Sequence, residues 1–85
     1  LVVISASGNS PNVVNALEVA ASKQMKTIGL VGFDGGKVRD LANIVIHVNS
    51  DNYGVVEDCH QMLMHSLAQA LRVSEHVEGY NKIKL

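Results

Sequence analysis

Three short runs of mainly apolar residues, many of them β-branched, limit what this chain can fold into. The runs span residues 1–4, 27–31 and 44–48. Apolar residues that follow one another without alternation are typical of parallel strands covered on both faces of a sheet. Segments with helical periodicity come after each run, so we expect the element order β-α-β-α-β-α. This order predicts an α/β fold with a parallel sheet, right-handed crossovers and three αβα layers.

Two features mark the start of the first helix. Ser10 is a suitable N-cap, and Pro11 suits the first helical position because that position needs no amide hydrogen. Apolar spacing and turn residues then place the three helices at about residues 11–23, 37–42 and 53–73.

The third predicted helix is the longest and carries apolar residues at i, i+3 and i+4 spacing. Met62 and Leu71 belong to this set, so we expect both on a buried face. His60 lies on the flank of that face and His47 lies in the third strand; we expect both to be packed or interfacial rather than catalytic. Residues 74–85 are weakly patterned and are expected to form a tail.

The charge content is low for so short a chain. Of the 85 residues, 47% are hydrophobic and 18% are charged, against about 25% charged residues in an ordinary soluble domain. A small domain is mostly surface and should carry more charge than average. We therefore expect the chain to be part of a larger domain; the alternatives are a minimal α/β domain and an obligate oligomer.

Charge and hydropathy exclude several classes of partner. The net charge is −1 and no run of lysine or arginine occurs, so we expect no binding to nucleic acid or to an anionic membrane. The longest apolar stretch is four residues, far below the ~18 of a membrane span. The single cysteine, Cys59, excludes an internal disulfide and suits the reducing cytoplasm.

The segment between the first strand and the first helix has the composition of an anion site. Residues 5–10 contain three serines, a glycine and an asparagine directly before a helix N-terminus, where unpaired amide hydrogens attract phosphate. Gly8 would let the backbone approach the anion closely. Neither GxxxxGK[ST] nor GxGxxG is present, so a phosphomonoester is favoured over a nucleoside triphosphate or a dinucleotide. The alternative is a serine-rich capping turn without a ligand.

Two other regions carry polar groups. The Gly-Gly loop at 32–37 contains Asp34, which would either cap a turn or accept a hydrogen bond from a sugar hydroxyl. On the third helix Glu57 and His65 lie on one polar stripe, where a carboxylate and an imidazole suit proton transfer. They are eight residues apart, roughly 12 Å along the axis, so they would bracket a sugar more easily than share a metal. The alternative is a solvated helix face.

Three strings together carry a family resemblance: SASGNS at 5–10, DGGK at 34–37, and VEDCHQMLMH at 56–65. They resemble the sugar isomerase (SIS) domain, and most closely its phosphoheptose isomerase branch. The resemblance covers residues 1–73 and implies that they are the C-terminal part of a single SIS domain. It implies a flavodoxin-like parallel sheet, normally of five strands, of which three are present here.

The resemblance also implies roles for individual residues. His65 matches the histidine that acts as acid or base in aldose–ketose isomerisation. Glu57 stands where the branch usually has a glutamine that contacts substrate or metal, so it is a candidate catalytic and substrate-binding residue. A divalent metal such as zinc is a candidate cofactor, with Glu57 and His65 as candidate ligands. The sugar phosphate would be bound by Ser5, Ala6, Ser7 and Ser10.

The sequence therefore predicts a phosphosugar-binding SIS domain that belongs to an isomerase of sedoheptulose 7-phosphate. The resemblance places a second catalytic glutamate outside these 85 residues, so we expect the chain alone to be inactive. It also implies a homo-oligomer, a dimer or a tetramer. The alternatives are a non-catalytic phosphosugar-binding module with a regulatory or scaffolding role, and an α/β domain without a ligand.

Overall fold

The computed structural model describes residues 1–75, and the predicted α/β order is confirmed within them. Helix α3 includes the first two residues of the predicted tail, and the rest of that tail lies outside the described residues. The elements are β1 (Val2–Ser5), α1 (Pro11–Ser22), β2 (Ile28–Val31), α2 (Gly36–Leu41), β3 (Ile44–His47) and α3 (Tyr53–Glu75).

The three strands form one parallel sheet in the order β1-β2-β3. Val2 pairs with Ile28 and Ile28 with Ile44, and the register continues without interruption to the ends of the strands. All three carboxyl ends therefore lie at one edge of the sheet, and the loops that follow them collect there.

Helices α1 and α2 cover one face of the sheet. The core on this side consists of Val3, Leu17, Val31 and Val38, each buried to 93% or more. Gly29 allows α2 to lie close to β2, because a Cβ atom at this position would come within 2.6 Å of the Val38 side chain. Burial of these four side chains is the main source of stability for this layer.

Helix α3 covers part of the opposite face. Strand alternation turns Leu30 away from the first core, and both Leu30 and Val56 of α3 are completely buried. The Val56 side chain packs directly on the backbone of Gly32. His60 is 3% exposed and is therefore packed, as predicted. With helices on both faces, the predicted three-layer arrangement is confirmed.

The prediction that β1 and β3 are buried on both faces is wrong for the part of the chain that the structure describes. Ile4 is 42% and Ile44 57% exposed, and Met62 and Leu71 of α3 are each more than 60% exposed. Helix α3 packs mainly on the central strand, so the same face of β1 and β3 stays open. Its 23 residues span roughly 34 Å, whereas four-residue strands span roughly 13 Å, so its later part has no sheet beneath it. Helix α3 therefore covers the centre of the sheet and then continues beyond it.

The starts of β2 and β3 are joined by a reciprocal set of hydrogen bonds. The Asn43 side-chain oxygen accepts from the Thr27 amide at 2.9 Å and from the Thr27 hydroxyl at 3.1 Å. The Asn43 amide donates to the same hydroxyl at 2.9 Å. Thr27 was predicted to begin the second strand, but these bonds hold it just outside the ladder. None of the helices within residues 1–75 has the length and apolarity to cross a membrane.

Candidate functional site

The serine loop, residues 5–10, is a tight turn closed by its own side chains. The hydroxyls of Ser5 and Ser10 lie 2.9 Å apart, and the Gly8 amide donates to both the carbonyl and the hydroxyl of Ser5. Gly8 has φ +74°, a left-handed conformation that glycine adopts without strain. Since Ser5 is only 5% exposed, its hydroxyl holds the loop closed from within.

Ser7 and Ser10 leave polar groups near the start of α1. The Asn9 amide donates to the Ser7 hydroxyl oxygen at 3.2 Å, so the Ser7 proton remains available to a ligand. Ser10 occupies the N-cap position but makes no side-chain cap bond. The amides of a first helical turn have no acceptor within the helix, so this end of α1 is suited to an anion.

The loop around the DGGK string packs directly against the serine loop. A Cβ atom on Gly8 would overlap the carbonyl oxygen of Gly35, so the two backbones touch. The Val38 amide donates to the Gly8 carbonyl at 3.0 Å, and the Lys37 amide donates to the Asn9 side-chain oxygen at 3.0 Å. Two of the three strings that carry the family resemblance therefore form one structural unit.

Asp34 caps a turn, which is one of its two predicted roles, and its contact with a sugar hydroxyl stays a prediction. Its carboxylate accepts from the Gly36 amide at 3.0 Å, at the first residue of α2. The sequence analysis missed the role of Asn9 altogether. The available signal was the pair of glycines at 35 and 36, which indicates that another backbone approaches closely.

A cleft of about 600 Å³ lies on one flank of the serine loop. Its aromatic part is formed by Phe33 and Tyr53, whose ring centroids are 4.7 Å apart. Phe33 has φ +48°, and the His47 Nε2 atom donates to its carbonyl at 2.6 Å. Sequence reasoning missed the residues that the loop after β3 contributes. The lining consists of Ser7, Asn9, Phe33, Asp34, Asn49, Ser50, Asp51 and Tyr53.

A second cleft, of about 340 Å³, lies on the other flank, between β1 and α3. Ala6 of the serine loop and the exposed side chain of Glu57 line it together. Ile4 and Met64 add an apolar wall. The fold therefore brings the predicted residue Glu57 beside the predicted phosphate loop, although 50 positions separate Ser7 from it in the sequence.

His65 is exposed and lies further along α3. The Gln61 amide group donates to its Nε2 atom at 3.2 Å. The shallow surface around His65 is formed by α3 alone, and Gln61 is the residue it shares with the cleft at Glu57. Within residues 1–75, the clefts at the serine loop do not include His65.

The predicted metal ligands do not form a complete donor set in the part of the chain that the structure describes. In that part, no three His, Cys, Asp or Glu side chains lie close enough to hold one ion. Glu57 and His65 would need further donors to bind zinc, since structural and catalytic zinc sites use three or four protein ligands. We therefore assign no chemical step to a metal.

Comparisons with known proteins agree with the resemblance. A phosphoheptose isomerase of Aliarcobacter butzleri is 44% identical over 71 residues, which are 84% of this chain and 38% of that protein. One of Helicobacter pylori is 39% identical over 71 residues, 84% of this chain and 37% of that protein. The chain thus spans well under half the length of these curated relatives. No model of a protein family matches it.

Solved structures give the same result. A phosphoheptose isomerase from Francisella tularensis superposes with a TM-score of 0.77 at 36% identity, over 81% of this chain and 38% of that one. One from Neisseria gonorrhoeae superposes with a TM-score of 0.78 at 33% identity, over 82% and 40%. Sequence and fold therefore point to the same group of proteins.

Proposed function

We propose that the chain, which is similar in sequence and fold to phosphoheptose isomerases, forms the phosphosugar-binding part of an aldose–ketose isomerase acting on sedoheptulose 7-phosphate. The observation that supports this most is the position of Glu57. Its carboxylate shares a cleft with Ala6 of the serine loop, so a proton-transfer group lies beside a candidate phosphate seat.

The serine loop would hold the phosphate. Ser7 offers a hydroxyl proton, Ser10 adds a second hydroxyl, and the first-turn amides of α1 add backbone donors with a favourable helix dipole. Ala6 leaves room on the flank towards Glu57 because its side chain is small. Ser5 is buried and would act on the ligand through the shape of the loop.

Isomerisation moves a proton between neighbouring carbons of the sugar through an enediol, which requires an acid, a base and stabilisation of the oxyanion. We assign the acid or base role to His65 and a proton-transfer or substrate-binding role to Glu57. Their spacing of eight residues on α3, roughly 12 Å along the axis, suits contacts with different parts of one extended sugar.

We also propose that the protein acts in the cytoplasm as a homo-oligomer, a dimer or a tetramer. The single half-buried Cys59 is consistent with a reducing compartment. The exposed apolar side chains of Ile4, Met62 and Leu71 support association with further protein surface. Light scattering on the purified protein would measure its assembly state.

The test measures binding and turnover side by side. Titration of the chain with sedoheptulose 7-phosphate, followed by calorimetry, should show binding that Ser7→Ala weakens about tenfold, as expected for the loss of hydrogen bonds to a charged group. Ser22→Ala is the matched control, because the Ser22 hydroxyl bonds only the Val19 carbonyl at the far end of α1. Turnover, measured on the complete gene product that contains these residues, should fall at least a hundredfold in His65→Ala.

The runner-up is a non-catalytic phosphosugar-binding module. It is favoured by one observation: within residues 1–75, His65 lines a different surface from the serine loop. Binding that depends on Ser7, without turnover by the complete gene product, would establish this alternative. If Ser7→Ala and the unmodified chain bind sedoheptulose 7-phosphate with equal affinity, both proposed functions are contradicted.

A further inference from the structure

We propose that Asn9 is a positioning residue that sets the phosphate affinity of the serine loop by fixing the loop to helix α2. The inference rests on the proposed function, because it concerns the same loop. It adds a residue whose effect on the ligand is exerted through Ser7 and through the backbone.

Asn9 makes two hydrogen bonds of opposite direction, one within the serine loop and one to α2. Its backbone amide donates to the Ser7 hydroxyl oxygen at 3.2 Å. Its side-chain oxygen accepts from the Lys37 amide at 3.0 Å, 28 residues away. The orientation of the Ser7 hydroxyl is therefore coupled to the position of α2.

The first turn of α2 depends on the serine loop for its acceptors. The Gly36 amide is capped locally by Asp34, whereas the next two amides are capped by the side chain of Asn9 and the carbonyl of Gly8. Helix α2 has only six residues, so a large share of its amide hydrogens is satisfied from outside. Neither the loop nor the helix turn is complete without the other.

Close packing leaves the loop little freedom to move. A Cβ atom on Gly36 would come within 2.6 Å of both the Asn9 side-chain oxygen and the Ser7 carbonyl. Preorganised donors bind an anion more tightly than mobile ones, because the ligand does not have to order them. Removal of the Asn9 side chain should therefore loosen the loop that orients the Ser7 hydroxyl and weaken binding.

The experiment uses inorganic phosphate as the probe and compares two asparagine caps. Asn9→Ala removes the cap that ties α2 to the serine loop. Asn52→Ala is the matched control, because the Asn52 side chain caps the Val55 amide in the first turn of α3 at 3.3 Å. Both variants lose one cap of the same kind, so a purely structural role predicts similar thermal destabilisation and similar affinities.

We expect Asn9→Ala to lower phosphate affinity about five- to tenfold, the equivalent of one hydrogen bond, while Asn52→Ala binds as the unmodified chain does. Equal weakening in the two variants, or none in Asn9→Ala, would overturn the positioning role. If the unmodified chain itself binds no phosphate, the proposed function fails together with this inference. If Asn9→Ala binds phosphate as tightly as the unmodified chain does, this inference fails and the proposed function stands.

A second measurement needs no variant and covers the case in which Asn9→Ala does not fold. Binding and loop position are linked, so saturating phosphate should slow hydrogen exchange of the Lys37 and Val38 amides in the unmodified chain. The Met25 amide, which donates to the Ala20 carbonyl at the other end of α1, should keep its rate. Unchanged exchange at Lys37 under saturating phosphate would contradict the coupling.

Discussion

The His60 ring donates a hydrogen bond from Nε2 to the Val31 carbonyl, at 3.0 Å and out of contact with solvent. The same carbonyl accepts from the Val48 amide at 2.9 Å. Helix α3 is thereby fixed to the carboxyl end of the central strand. This bond sets the depth at which Glu57, one turn earlier on the helix, lies beside the serine loop.

His60→Ala should lower the free energy of unfolding by about 2 kcal/mol or more, because it removes this bond and leaves a cavity beneath α3. His65→Ala is the matched control on the same helix. Its ring is exposed, so the change should stay within about 0.5 kcal/mol. Urea denaturation followed by circular dichroism measures both, and equal losses would show that His60 does not hold the helix.

Gly8→Ala should destabilise the fold by about 3 kcal/mol or more, because residue 8 has a positive φ and an added methyl group would collide with the Gly35 carbonyl. Gly54→Ala tests whether loss of any glycine has this effect. A methyl group there meets only the Asn52 side-chain oxygen, at 3.3 Å, so stability should change by less than about 1 kcal/mol. Similar melting temperatures for the two variants would contradict the contact between the loops.

Glu57→Gln should raise the affinity for a sugar phosphate about two- to fivefold at low ionic strength, because it removes a negative charge beside the phosphate seat. Asp58→Asn removes the same charge from the neighbouring position, which lines the surface around His65 and neither cleft at the serine loop, and should change affinity less than about twofold. Calorimetric titrations at low and high salt compare the two. A gain that persists unchanged in high salt would exclude the electrostatic explanation.

Asn43→Ala should cost about 2 kcal/mol of stability, because it leaves the buried Thr27 amide and hydroxyl without their acceptor. Asn15→Ala, on the exposed side of α1, serves as the comparison and should be nearly neutral. Thermal unfolding of the two variants checks the difference. Equal melting temperatures would mean that Asn43 does not hold β2 and β3 in register.

The positions of the strands could be predicted from the sequence to within one residue at each end. The first strand begins and ends one residue later than predicted, and Thr27 and Val48, whose residue types suit strands, lie just outside the ladder. Thr27 bonds to Asn43, a contact that no local pattern reveals. Local propensity therefore identified the elements, whereas tertiary hydrogen bonds set their ends.

Burial on α3 was harder to predict. The apolar spacing that includes Met62 and Leu71 is the usual sign of a core face, yet both side chains are exposed. Periodicity shows which residues share a face and says nothing about how much sheet lies beneath them. The burial of Val56 and His60 and the exposure of the later residues follow from the short strands.

The candidate functional site was also predictable only in part. The residue types of the serine loop and its place before a helix could be read from the sequence, and the fold puts Ala6 of this loop and Glu57 in one cleft. The contact of this loop with residues 34–38 could not be predicted from the sequence, because it joins segments 28 residues apart. The binding roles of the serines, Glu57 and His65 remain predictions.

The contact between Gly8 and Gly35 also constrains how this protein can change through evolution. Residue 8 cannot gain a side chain while the loop at Gly35 stays in place, since a methyl group at Gly8 would overlap the Gly35 carbonyl. A tolerated substitution in one loop therefore requires a compensating shift in the other. During evolution, related sequences should therefore keep both loops unchanged or change both of them together.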